Sequence, residues 1–284
     1  MSSTDGATQR KLGSDVSFEE AGIHPISPVK SAGALTLSPE LFEKLYLTPK
    51  TAKPRDPRRR FANPTPLGLM GFVISAFTFA SVLMGWGGAT SLVGVVGIFY
   101  FTGPVLLLLS CIFEWIIGNF FSMLVMGMFG VFWLSFGLIQ TPSWGIAASY
   151  SATGDAVEGA ASQGYNAAIA LYLMFWGFWL FTVFCFALRT NVVFAAIFLF
   201  AFLSNFTLSG AYWRLSTGDF EAAGRLQKAG AALFFLVALL GYYITVVMIA
   251  AEMRITVNLP VGDLSHLWPK GKEEVAEMEK GKEK

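Results

Sequence analysis

The sequence predicts an all-α integral membrane protein, a six-transmembrane-helix bundle with cytoplasmic N- and C-termini, and three observations carry that prediction. From Asn63 to Leu188 the only charged residues are Glu114, Asp155 and Glu158, whereas a domain that faces water must alternate polar with apolar positions. Charge instead gathers in residues 1–60 and 252–284, so the net charge of +1 hides a strong segregation in a chain that is 54% hydrophobic and only 14% charged. Between those ends, apolar runs of about 18 residues or more, each able to cross a hydrocarbon core of about 30 Å, fall at 66–86, 94–117, 121–141, 167–188, 191–212 and 229–251. The implied organisation is a cytoplasmic tail over 1–60, a transmembrane domain over 61–266 and a charged cytoplasmic tail over 267–284.

Residues 1–34 are rich in Ser, Gly, Pro and charge, a composition that buries too little apolar surface to offset ordering, and they read as disordered. Ser38-Pro39-Glu40 has the form of a helix start, with Leu41, Phe42, Leu45 and Tyr46 on one face of a short amphipathic segment. That segment either lies on the inner leaflet or the bundle, or is a marginal helix with no partner. Ser27-Pro28, Ser38-Pro39 and Thr48-Pro49 could accept phosphate. The end over 270–284 combines Glu, Lys, Ala and Met without an apolar stripe and reads as a solvated tail. The first apolar run begins only after residue 65, so no cleaved secretory leader is expected.

Orientation follows from the basic residues that flank the spans. Lys50, Lys53, Arg55, Arg58, Arg59 and Arg60 precede the first, the first loop carries no charge, and the third is acidic. The N-terminus is therefore expected in the cytoplasm, and an even number of spans returns the C-terminus and Arg189 to the same side. The fifth connection, with Arg214, Arg225 and Lys228 beside Asp219 and Glu221, fits that rule least well. Trp86, Trp144 and Trp213 fall at the outer boundary and Trp115 at the inner one, as interfacial anchors do.

Catalysis is not expected. The two histidines, His24 and His266, lie outside the spans, and no zinc, P-loop or dinucleotide fingerprint is present. Cys111 and Cys185 fall inside spans and read as small packing residues. No cofactor and no nucleic-acid partner are expected, and a transporter or channel is the leading class. Polar groups inside the bilayer then become informative. In Asn63-Pro64-Thr65-Pro66-Leu67-Gly68-Leu69 the prolines fix where the first helix begins, and Asn63 or Thr65 can cap its amides. Such a helix start suits either a sharp turn or the capture of a small carboxylate. Glu114 lies about one turn inside the end of the second span, followed by Gly118-Asn119-Phe120; a carboxylate there costs several kcal/mol unless paired or protonated. Glu114, Asn119, Asn63, Thr65 and Arg189 share one membrane level, so Glu114 serves either proton coupling or a structural bond, with Arg189 as a possible ion-pair partner. Gly68, Gly71, Gly94, Gly97, Gly127 and Gly130 allow close helix approach. The aromatic run Tyr172, Phe175, Trp176, Phe178, Trp179 and Phe181 is too broad for one face and is expected to meet lipid or another subunit.

The motif Asn63 to Leu69 resembles the signature that opens the first span of the acetate uptake transporter family, the YaaH-type proteins of bacteria and their fungal relatives. The likeness continues through Leu83-Met84-Gly85-Trp86, Glu114 with Gly118-Asn119-Phe120, Gly130 to Leu134, Leu188-Arg189-Thr190-Asn191, Gly210 to Trp213, Ala223 to Gln227 and Leu259 to Ser265. It covers about 60–266 and is nearest to the filamentous-fungal branch. This resemblance implies a homo-hexamer of six-helix protomers in the plasma membrane, each with its own path for acetate and similar monocarboxylates, coupled to protons. It implies Asn63, Thr65, Glu114 and Asn119 as polar groups of the path. Phe72, Phe129 and a fifth-span residue, Leu203 or Ala201, would form a constriction.

Two departures from the pattern are expected to matter: Leu107 stands where the family carries glutamine, and Phe120 where it carries threonine. Gly103-Pro104, where two glycines are usual, implies altered helix geometry. Export of ammonium or ammonia, also attached to fungal members, and a non-transporting membrane sensor are the competing readings.

Overall fold

The computed structural model describes residues 61–255 and 259–264. The tail helix at 38–46, the phosphorylation dipeptides, both histidines and the end over 267–284 lie outside them. Within them, six helices are long and apolar enough to cross a membrane: α1 (Thr65–Met84), α2 (Ile98–Ile117), α3 (Phe120–Gln140), α4 (Gln163–Ala187), α5 (Val192–Ser216) and α6 (Phe220–Glu252). The chain is a multi-pass membrane protein.

Local chemistry sets most boundaries. The α1 helix opens at Pro64 and Pro66, with the Asn63 Oδ1 accepting from the Thr65 N–H at 3.0 Å. It closes at Gly85, whose φ of +78° is a left-handed conformation that glycine adopts without a Cβ penalty. Ser162, Asn191 and Asp219 cap α4, α5 and α6 with side-chain oxygens. The Asp219 cap starts α6 nine residues before the apolar run does, so the fifth connection shortens to Thr217–Asp219 and its charges resolve into Arg214 with Asp219 at 3.7 Å and Arg225 with Glu221 along the helix. Two further corrections concern α2 and the third loop. Gly94 and Gly97 have open space around them and mediate no close packing. They belong to an irregular opening, a 3-10 turn over Leu92–Val95 followed by a π-helical turn over Ile98–Thr102. Pro104 lacks an N–H and disfavours helical geometry upstream, and the Gly103 N–H reaches back five residues to the Ile98 carbonyl. A short helix, Ala156–Ala161, not foreseen in the apolar pattern, is capped by Asp155 in the acidic loop.

Around the bundle, α1 packs between α2 and α6, α2 against α3, and α4 against α5, which packs against α6. Rings close the circle between α3 and α4, where Phe132 stacks on Tyr172 with centroids 6.2 Å apart and meets Trp176 at 5.1 Å. Close approach between α1 and α2 depends on Gly68 and Gly71: a methyl group there would come within 2.8 Å of Ser110 and 2.7 Å of the Thr102 carbonyl. The aromatic run on α4 divides. Tyr172 and Trp176 turn to Phe132, while Phe175, Phe178 and Phe181 stay exposed on the outer surface. Trp86, Trp144 and Trp213 sit exposed toward one end of the bundle and Trp115 toward the other.

A strap completes the Thr65 end. After α6, residues 259–264 return to α5: Asn191 and Asp263 form an antiparallel bridge, the Val192 N–H donates to the Gly262 carbonyl at 2.8 Å, and the Leu264 N–H donates to the Thr190 carbonyl at 3.2 Å. Tyr243 secures it from α6 by donating to the Pro260 carbonyl at 2.7 Å, and Val261 is buried beneath.

Candidate functional site

At the Thr65 end, α1, α2 and α3 bring five polar side chains together. The Thr65 hydroxyl, fully buried, donates to Glu114 Oε1. One turn earlier on α2, the Ser110 hydroxyl donates to the Pro64 carbonyl at 2.9 Å, which ties the proline-bounded start of α1 to the same face of α2. Gly118 ends α2 at φ +78°, and the Asn119 N–H returns to the Glu114 carbonyl at 2.9 Å, so the Gly-Asn pair sets Asn119 beside the end of the helix that carries the acid. The Asn119 amide then donates to the Ser122 hydroxyl at 3.2 Å. Glu114 has 0% of its surface exposed. Arg189 is exposed at the turn before α5.

Above this cluster runs a cavity of about 30 Å³, lined by Thr65, Leu69 and Phe72 of α1, Leu107 of α2, Ser122 and Phe129 of α3, Phe194, Ile197 and Phe198 of α5, and Gly241 of α6. That volume holds about two waters. A second cavity of about 40 Å³ lies on the later turns of the same helices, between Phe79 and Leu83, Phe132 and Phe136, Ser204 and Tyr212, and Phe234 and Gln227. Along α1, α3 and α5 the lining residues of the two cavities succeed one another, and along the antiparallel α6 they run in reverse. The cavities therefore share one axis through the bundle.

Aromatic rings separate them. Phe72 meets Phe129 edge to face with centroids 5.0 Å apart and Phe234 at 6.1 Å, Phe129 stacks on Phe198 at 6.4 Å, and Phe79 meets Phe234 at 5.5 Å. The expected pair of Phe72 and Phe129 is thus brought together. Leu203 is not: it is 39% exposed and points away from the axis, because α5 turns Phe198 and Ala201 inward on the buried face. Phe198 is the fifth-span residue that meets Phe129. Of the two departures, Leu107 does line the first cavity, while Phe120 is 63% exposed and removes nothing from it.

Several residues of this arrangement carried no signal in the sequence. Phe198 and Phe234 are two of 27 phenylalanines, and their facing directions depend on helix rotation. Asn205 stands out in sequence only as a sequon inside a span; its amide donates to the Leu173 carbonyl at 2.8 Å, and it borders the second cavity. Gln227, marked in the sequence only as the end of the Ala223 to Gln227 motif, donates to the Leu83 carbonyl at 3.3 Å and lies before the apolar run of α6 begins.

A bundle of six membrane-crossing helices with two coaxial cavities, a ring constriction and a buried acid at one end has the form of a membrane conduit for small solutes. Residues 46–266 match the GPR1/FUN34/yaaH family, and the chain belongs to that family. It is 40% identical to Protein alcS of Aspergillus fumigatus over 83% of this chain and 87% of that one. It is 28% identical to the acetate transporter protein patA of Penicillium expansum, over 75% and 82%. With the ammonia transport outward protein 2 of Saccharomyces cerevisiae it shares 31% over 73% and 68%. The fold is that of the bacterial acetate channel SatP, with a TM-score of 0.53, 22% identity, and 71% of this chain and 99% of that one covered.

Proposed function

We propose that this protein carries acetate and related short monocarboxylates across the plasma membrane together with a proton, without catalysing a reaction, and that it does so as a homo-hexamer with the Thr65 end in the cytoplasm. The observation that carries the reading is the shared axis: two cavities aligned on α1, one on each side of the Phe72 and Phe129 pair, with Thr65 bonded to Glu114 at one end. The acetate transporter among its relatives supports the choice of substrate.

On this reading a carboxylate is met at the Thr65 end by the hydroxyl and amide groups of Asn63, Thr65 and Asn119. It then passes a layer of rings that favours a small acid with one apolar end. Glu114 is buried and accepts a hydrogen bond from the Thr65 hydroxyl. A group that gains and loses a proton as substrate arrives couples the two movements, and the Thr65 hydroxyl steadies it in either state. Leu107, an apolar wall of the first cavity, favours acids with a larger apolar part.

The test is uptake of labelled acetate into liposomes holding the purified protein under an inward proton gradient, with propionate, lactate and ammonium as competitors. Saturable uptake above that of empty vesicles, lost when the gradient collapses, is the expected result. Flux no greater than in empty vesicles would overturn it. Competition by ammonium alone would favour the second reading, ammonium export, for which the similarity to the ammonia transport outward protein speaks.

A further inference from the structure

The strap covers a feature that the path described so far does not use. Asn191 caps α5: its Oδ1 accepts from the Phe194 N–H at 2.9 Å, which fixes Nδ2 as the other end of the amide. That Nδ2 is buried and has no hydrogen-bond partner among the described residues, and Asn191 as a whole is 0% exposed. An unpaired buried amide donor costs about 1–3 kcal/mol, so its presence calls for an explanation. It sits at the N-terminus of a 25-residue helix, where backbone N–H groups and the helix dipole favour an anion. The donors of that turn are mostly taken. Val192 gives its N–H to Gly262, Phe194 to the Asn191 side chain and Ala195 to the Asn191 carbonyl, which leaves the Val193 N–H without a partner among the described residues.

The Gly262 carbonyl, 2.8 Å from the Val192 nitrogen, occupies the place that an oxygen of a bound carboxylate would take. The strap also sets Asp263 opposite Asn191 in an antiparallel bridge, so it lays backbone carbonyl oxygen against the positive end of α5. One turn further along α5, Phe194 already lines the first cavity.

We propose that the N-terminus of α5 is a carboxylate-binding station, with Asn191 Nδ2 and the Val192 and Val193 amides as its donors, and that the strap is the plug that substrate displaces on its way to or from the first cavity. This rests on the monocarboxylate reading above. Closed, the Gly262 carbonyl holds one donor and the strap shields the others; open, a carboxylate collects all three and lies a single helical turn from Phe194.

The experiment compares the full-length protein with Asn191→Ser and Asn191→Asp, both of which keep an oxygen to accept the Phe194 N–H. Sodium acetate binding is followed by calorimetry in micelles and acetate uptake in liposomes, and amide exchange at Val192 and Val193 in the wild type is measured with and without saturating acetate. The expected result is acetate affinity about ten-fold weaker in Asn191→Ser, the loss of one hydrogen bond to a charged group. Asn191→Asp, which places a negative charge there, is expected to bind no measurable acetate, and acetate should slow exchange at Val193 in the wild type. Wild-type affinity in both variants, or unchanged exchange at Val193, overturns the proposal, and the exchange measurement decides even if a variant fails to fold. Binding that depends on Asn191 without any flux would leave the station standing and remove the transport reading, whereas a wild type that binds no acetate removes both.

Discussion

The hydroxyl of Thr65, in the first turn of α1, donates to the carboxyl of Glu114 near the end of α2, 49 positions further along the chain. Both side chains are buried. A single bond thus joins the helix start that the prolines define to the acid that the second span buries.

Replacing Glu114 by Gln keeps an oxygen for Thr65 to bond and removes the charge. The expected outcome is normal assembly and thermal unfolding with proton-driven acetate uptake lowered ten-fold or more. Leucine at the same position leaves the Thr65 hydroxyl unpaired in a buried site, at about 1–3 kcal/mol, and should lower the unfolding temperature as well. Stability measurements beside uptake separate the two; equal destabilisation by glutamine would mark Glu114 as structural.

Selectivity should respond to Phe198 and not to Leu203. Phe198→Leu widens the ring layer beside Phe129 with a smaller loss of packing than alanine, which would cost about 3–5 kcal/mol. It is expected to raise propionate and lactate uptake relative to acetate. Leu203→Ala changes an outward-facing side chain and should leave the ratio as it is. The competitor series in liposomes reads both.

Gly262 has a φ of +66°, and a methyl group on it would come within 2.7 Å of Val192 Cγ2. Alanine there combines a left-handed backbone, about 1 kcal/mol or more, with that clash. The strap should detach, seen as faster hydrogen exchange at the Val192 and Leu264 amides while α6 stays protected.

In the third loop, hydrogen bonds from the Ser151 and Thr153 hydroxyls hold the Glu158 carboxyl below the usual glutamate range. Because the folded value is the lower one, the contribution to loop order is complete above the unfolded value and disappears as pH falls through the folded one. Acidification below the usual carboxylate range should therefore release the Ala156–Ala161 segment to proteolysis. Ser151→Ala should move that release to higher pH.

The number of spans and most of their boundaries were legible in the sequence, since apolar runs, capping residues and prolines act locally. The Thr65 to Asn119 cluster was legible too, because its members all lie within a turn or two of helix ends whose membrane level follows from counting residues. Rotation about a helix axis is different. Leu203 and Ala201 stand two positions apart on a helix apolar on every side, and only packing against α3, α4 and α6 decides which one turns inward. The strap left no trace in hydropathy because backbone hydrogen bonds and one glycine hold it, and the early start of α6 was hidden by the charged residues of its first turns.

The two cavities never merge. Each has room for about two waters, and the layer of phenylalanine rings between them offers no hydroxyl or amide relay. Protons hop along unbroken chains of hydrogen-bonded groups, and phenylalanine rings contribute none. On the proposed reading, that ring layer would keep the gradient that drives uptake from leaking through the protein between transport events.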